Sequence, residues 1–274
     1  ALIVKFFKSL DHPHFYLIPD REKDGYGINI KLTKKVIKEQ AKLIILVDNG
    51  SNSTKEISLL KKNKIDTLII DHHQVNEPLP KANVIINPKK NNGYINKDYM
   101  CATLLTFFFI DLLKEKISTK FYLNDYLIYP LMATICDVMP LRNVNRFLSI
   151  YTLKKFELKK VNSIKIIFDL LKISKKISIN DFGFLIGPIL NSGGRLDDSS
   201  LAVRLLSSNN KNETKLLGKK LIYFNNKRKI LEDRVLNNID YNKIKKENKN
   251  VIVYYNNSIK EGLIGIIASR LKDL

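Results

Sequence analysis

The apolar positions change rhythm along the chain. Leu2, Ile3, Phe6, Phe7 and Leu10 share one face at helical spacing, and Asp11-His12-Pro13 ends that helix ahead of a short strand from His14 to Ile18. Lys42 to Val47 (KLIILV) is an unbroken aliphatic run stopped by Asp48-Asn49-Gly50, and Thr67 to Ile70 (TLII) is another, stopped by Asp71. Continuous apolar runs of this kind predict parallel strands buried on both faces. Between them Ser53 offers a helix cap with Glu56 three residues on, and Ile57, Leu59 and Leu60 supply an apolar face. Residues 42 to 71 are therefore predicted to be one βαβ unit, which brings both strand ends to the same edge, where open α/β sheets bind ligands. Another strand, Val84 to Ile86, precedes Asn87-Pro88.

From Ala102 to Met139 the pattern becomes helical and strongly apolar, and helices continue through about Ile173 to cover the sheet. Residues 183 to 200 (GFLIGPILNSGGRLDDSS) are the richest in turn-forming residues and predict a loop, followed by a helix over LAVRLL. Leu217, Leu221, Phe224, Leu231, Val235 and Ile239 then give Thr214 to Ile244 one apolar face, as in a connecting helix. After it VIVYY, from Val251, predicts a new strand. The expected fold class is α/β: a parallel-sheet domain over residues 1–155, a helical connector over 156–244 with the Gly-rich segment, and the start of a second, truncated α/β domain at 245–274. The chain opens on Ala1 and breaks off within a helical pattern, which predicts an excerpt of a longer protein.

Composition changes this picture in three ways. The 274 residues are 45% apolar and 9% aromatic, a normal supply for a sizeable core. No segment approaches about 18 uninterrupted apolar residues, and the start lacks a basic leader and cleavage site, so neither a membrane span nor export is expected. Cys101 and Cys136 lie far apart in no CxxC context, so neither a disulfide framework nor a structural zinc knuckle is indicated, and a reducing cytoplasm fits best. The 47 Lys+Arg against 27 Asp+Glu give a formal charge of +20. Such a charge favours a polyanionic partner, although Lys, Asn and Ile crowd the whole chain and the basic residues are scattered rather than gathered in a stripe.

Candidate chemistry sits at the strand ends. Asp48, beside Asp71-His72-His73 on the neighbouring strand, supplies oxygen and imidazole ligands at one edge, a set that suits Mn, Mg or Zn. The competing reading is that Asp48 caps the following helix and one His is a core residue. Asp137 follows the apolar run LMATIC, where a carboxylate needs a partner such as a metal or else stands exposed at a helix end. Asn191-Ser192-Gly193-Gly194-Arg195 would let amides and a guanidinium meet a phosphate, and Gly262-Leu263-Ile264-Gly265 running into a helix with Ser269 and Arg270 is a second such start. Each of these could also be an ordinary Gly-containing turn.

In order and spacing, these segments resemble the DHH phosphoesterase superfamily, and within it the RecJ type of single-strand-specific exonuclease. The resemblance runs nearly end to end: IPDREKDGYG (18 to 27), LIILVDNG, TLIIDHH with the following LP and INP, TICDVMPL, GPILNSGGRLDDSSLAV and GLIGIIASRL. It implies a hydrolase for DNA repair and recombination, a Mn2+- or Mg2+-dependent 5′ to 3′ exonuclease on single-stranded DNA using two metals. A single-strand-binding protein and a helicase are the implied protein partners. Asp48 would bridge the metals, His72 and Asp137 would be further ligands, His73 would contact the scissile phosphate and Asp71 would orient the imidazoles. Arg195 and the backbone around Gly194 would hold a phosphate, Arg21 would meet the 5′ end, and Ser269 and Arg270 would touch the strand. Alternative readings are a DHH phosphodiesterase of short oligoribonucleotides or cyclic dinucleotides, and a non-catalytic nucleic-acid-binding relative. The family's first metal motif, an Asp-x-Asp segment, lies on a strand ahead of the helix that begins here at Ala1. The resemblance thus implies that this stretch alone binds metals poorly and is inactive. Lys260-Glu261 also departs from the His that relatives often carry there.

Overall fold

The computed structural model describes residues 1–90, 99–158, 161–241, 251–257 and 259–273. It opens on helix α1 (Leu2–Ser9) and α2 (Ile30–Lys38), followed by β1 (Leu43–Val47), α3 (Thr54–Lys62), β2 (Asp66–Ile70) and β3 (Val84–Ile86). The three strands are parallel in the order β1-β2-β3, with Val47 opposite Ile70 and Ile70 opposite Ile86. The predicted βαβ unit is thus present. Ser53 stands at the N-cap of α3 but makes no side-chain cap bond.

β2 is buried from Thr67 to Ile70 because it has protein on both faces. Ile69 turns to one side, joining Leu46, Val36, Ile57 and Leu60 under α2 and α3. Leu68 and Ile70 turn to the other, joining α1, α4 (Ala102–Lys116) and the large helical core. Strand alternation thus assigns successive residues to opposite layers. Each fully buried aliphatic side chain contributes roughly 1.5–3 kcal/mol by leaving water, enough to hold both helical layers on a sheet that is three strands wide among the described residues.

The helical part continues through α5 (Ile128–Cys136), α6 (Asn143–Lys155), α7 (Asn162–Leu170), the short α8 (Ile179–Asp181), α9 (Gly187–Leu196), α10 (Ser200–Ser207) and α11 (Lys211–Asn237). α11 runs 27 residues and packs Leu217, Leu221 and Phe224 into the main core, as the amphipathic pattern predicts. α12 (Glu261–Lys272) closes on the far end of α11 through Val235, Ile239, Leu263, Ile267 and Leu271.

Three expectations are corrected. Residues 14–18 form no strand: Pro13 and Pro19 flank them, and Phe15 and Tyr16 stay exposed, so no apolar face drives pairing. Residues 183–200 are mainly helical, a π-helical turn (Phe182–Ile186) leading into α9. The glycines there serve close packing: a Cβ on Gly193 would lie 2.7 Å from Asp198 O, and one on Gly187 would lie 2.6 Å from Cys136 Sγ. Residues 251–255 are not a strand, because no neighbour pairs with them among the described residues and Val253 is 89% exposed. The boundary called at 244/245 lies outside the described residues.

Candidate metal centre

The parallel register delivers Asp48 and Asp71 side by side. Asp48 N donates to Ile70 O at 2.9 Å and Asp71 N to Ile86 O at 3.0 Å, so the ladder runs one step past each strand. Asp48 has φ 66°, in the left-handed region that Asp and Asn tolerate better than other L residues. The next glycine, Gly50, has φ 107°, and a Cβ there would meet Leu46 Cδ1 at 2.8 Å. This tight exit turns the Asp48 carboxylate toward His72, whose Nε2 lies 3.0 Å from Oδ1.

That approach is not aligned as a hydrogen bond. Asp48 Oδ1 and His72 Nδ1 are both buried without a hydrogen-bond partner. An orphaned buried polar atom costs about 1–3 kcal/mol unless a ligand completes it. Asp48, His72 and His73 each present a ligand atom, all within 4.8 Å of one another. A carboxylate with two imidazoles, short of partners, fits a divalent cation.

Asp71 is buried and does not face outward. Its Oδ1 accepts from His72 N at 2.8 Å, His73 N at 3.3 Å and His73 Nδ1 at 2.7 Å, and its Oδ2 accepts from Ser51 N at 3.1 Å. Burial alone would raise its pKa, but the hydrogen bonds from His73, Ser51 and His72 hold it below the usual carboxylate value. An ionised carboxylate only accepts, so the His73 proton sits on Nδ1 and Nε2 faces outward.

Asp137 caps α5, its N–H donating to Ala133 O at 2.9 Å. Burial first, and then the like charge of Asp48, raise its pKa, while His72 and His73 pull it down. It therefore feels the same cluster electrostatically, though it stands outside the 4.8 Å group. Two carboxylates that repel each other in a half-dry pocket are a second sign that a cation belongs there.

Tyr26, Ser51 and Asn87 complete the site and escaped the reading of the sequence. Tyr26 Oη donates to Asp48 O at 2.8 Å and stands 3.5 Å from His73 Nε2. Its loop is shaped by Gly25 and Gly27, both at positive φ, and Asn49 Oδ1 accepts from Ile28 N. Asn87 Nδ2 donates to Ser51 Oγ at 2.8 Å and to His73 O at 3.0 Å, so β3 also braces the edge. The GYG triplet and the Asn after β3 were the available signals.

The chain spans about half the length of the curated relatives it matches. A single-stranded-DNA-specific exonuclease RecJ from Haemophilus influenzae is 29% identical over 94% of this chain and 48% of its own length. The Escherichia coli enzyme of that name is 28% identical over 100% of this chain and 50% of its own. The DHH family N-terminal domain matches residues 1–134. Those residues are similar to that family's N-terminal domain. A solved exonuclease RecJ bound to manganese superposes with a TM-score of 0.85 at 23% identity, covering 98% of this chain and 68% of that one, and so shares its fold. RecJ from Thermus thermophilus in complex with Mn2+ gives 0.83 at 21%, over 99% and 39%.

Beyond the DHH domain the candidate phosphate groups meet one another. Arg195 Nη1 donates to Gly262 O at 2.6 Å, and a Cβ on Gly262 would lie 2.6 Å from Arg195 O. Gly194 lies inside α9, where its amide serves the helical ladder, so Arg195 supplies the charge instead. Burial first, then Arg21, lower the Arg195 pKa, so the two guanidiniums share one region. Ser269 and Arg270 are exposed on α12, and Arg270 Nε reaches Glu232 Oε1 at 3.3 Å, beside the Arg228–Glu232 pair at 2.8 Å. Gly262→Ala is expected to force α12 off α9 and cost roughly 1–3 kcal/mol. The expected readout is a lowered thermal midpoint with metal binding at the sheet edge unchanged.

Proposed function

We propose that this chain is the metal-binding core of a Mn2+- or Mg2+-dependent exonuclease that hydrolyses single-stranded DNA from its 5′ end. The observation that carries this reading is the convergence of Asp48, His72 and His73 at one sheet edge, where Asp48 Oδ1 and His72 Nδ1 are buried without a hydrogen-bond partner. Bound divalent ions would supply an activated water and charge stabilisation for the leaving oxygen. Asp48, His72 and Asp137 hold the metals. Asp71 accepts from His73 Nδ1 and so orients the ring, from which an Nε2–H would donate to the scissile phosphate. Arg195 and Arg21 receive the terminal phosphate, and Ser269 and Arg270 contact the strand once Arg270 leaves Glu232.

The assignment of residues 1–155 to catalysis, 156–244 to the connector and 245–274 to substrate binding belongs to the same proposal. So do cytoplasmic action and the partners, a single-strand-binding protein and a helicase. No helix among the described residues is long and apolar enough to cross a membrane. The test supplies the full-length protein with 5′-phosphorylated single strands, matching duplexes and Mn2+. Release of 5′ mononucleotides from single strands alone is expected, and intact strands or equal cutting of duplex would overturn the reading.

Metal binding is expected to depend on pH through His72. The contact with Asp48 raises its pKa above 6.5 against the opposing effect of burial. In the metal-free protein the protonated form therefore contributes stability below pH 6.5, which is lost as pH rises through the raised pKa. A metal must displace that proton. Calorimetric Mn2+ titration should give affinity that climbs as pH rises through the raised His72 pKa, with proton release on binding below it.

A further inference from the structure

A surface next to the metal centre has the chemistry of a nucleic-acid platform. α6 begins six residues after Asp137; Asn145 Nδ2 ties it to the intervening loop by donating to Pro140 O at 2.9 Å, and to the segment before α4 by donating to Tyr99 O at 2.8 Å. Its inward face, Asn145, Leu148, Ser149 and Thr152, is buried. Its outward face carries Phe147 (66% exposed), Ile150 (59%) and Tyr151 (40%). Phe147 and Tyr151, one helical turn apart, lie nearly parallel, with centroids 5.6 Å apart and an interplanar angle of 19°. Arg146, Lys154 and Lys155 are exposed on the same helix, which contains no acidic residue. Val138, immediately after Asp137, is another apolar side chain left 87% exposed.

We infer that this face of α6 is a stacking platform for single-stranded DNA leaving the metal edge. The inference rests on the nuclease reading above and adds where the strand runs. Large apolar rings left in water are costly, and flat rings interleaved with cations match the bases and phosphates of a single strand, whereas a protein partner would leave three cations needing acidic mates. Duplex DNA keeps its bases stacked inside and gains nothing from the rings.

The experiment measures equilibrium binding of a fluorescent oligothymidylate by the full chain in EDTA, where cleavage is blocked. Phe147→Ala/Tyr151→Ala is expected to weaken binding about 10- to 100-fold while leaving the slope of affinity against salt unchanged. Lys154→Ala/Lys155→Ala is expected to make that slope shallower by about 1.4, at ~0.7 per phosphate contact. Circular dichroism melting should match the parent for both, since every altered side chain is exposed. Parent-like affinity of the aromatic variant would overturn the platform and leave the nuclease reading standing. Failure of the parent chain to bind any single strand would overturn both. A concentration-dependent dimer that dissociates in the aromatic variant, with DNA affinity retained, would also overturn the platform.

Discussion

In the full-length protein, Asp48→Asn is expected to abolish tight Mn2+ binding and to lower nuclease turnover by at least on the order of 10²- to 10³-fold, the range for losing one group that stabilises transition-state charge. The substitution is selective. Asn also tolerates the left-handed φ of 66°, so the exit from β1 and the Tyr26 bond to the Asp48 carbonyl should survive. Removing the charge also removes one of the causes that raise the Asp137 pKa, so above the raised His72 pKa metal-free stability should hold or rise slightly. Mn2+ titration followed by electron paramagnetic resonance, beside a thermal melt, separates the two effects. Parent-like metal affinity in the folded variant would remove Asp48 from the metal set.

Asp71→Ala is expected to act mainly on the fold. Its carboxylate gathers the backbone N–H groups of Ser51, His72 and His73 and the His73 ring at the end of β2. Deleting it orphans buried donors at about 1–3 kcal/mol each, a total of roughly 3 kcal/mol or more. In a chain of this size that lowers the melting midpoint by about 10 °C. Asp71→Asn keeps the volume and an acceptor oxygen, so it should melt closer to the parent. It should still lose roughly 10- to 100-fold in activity, because an amide does not hold the His73 proton on Nδ1 as an anion does. If Asp71→Ala melts like the parent, the carboxylate is not the anchor of this edge.

The two substitutions separate residues that look alike in the sequence. Asp48 and Asp71 each follow an aliphatic run, yet one carboxylate has a buried oxygen left unpaired and the other is saturated. Sequence patterning could place both at one sheet edge because a parallel βαβ crossover leaves no other arrangement. It could not tell which would face a metal, since that depends on a left-handed turn at Asp48 and on amides supplied by Ser51.

The same division holds across the molecule. The strand runs, the helical spacing of α11 and the acids after β1, β2 and α5 were legible from residue type and period alone, because burial imposes those periods wherever a segment has a dry face. Residues 183–200 were misread for a physical reason: glycine and proline also appear in helices that must pack tightly, and Gly187 and Gly193 sit where a Cβ would collide with Cys136 Sγ and Asp198 O. Local composition does not record such an approach. Val251 to Tyr255 have the composition of a strand, but a strand exists only when a neighbour pairs with it. Residue type and spacing alone dictate which segments can be buried and which acids and imidazoles end them. Tertiary structure decided which of those groups meet, which are already satisfied, and that Tyr26 and Asn87 brace the site. Those outcomes depend on distances between segments remote in the chain, which no local pattern encodes.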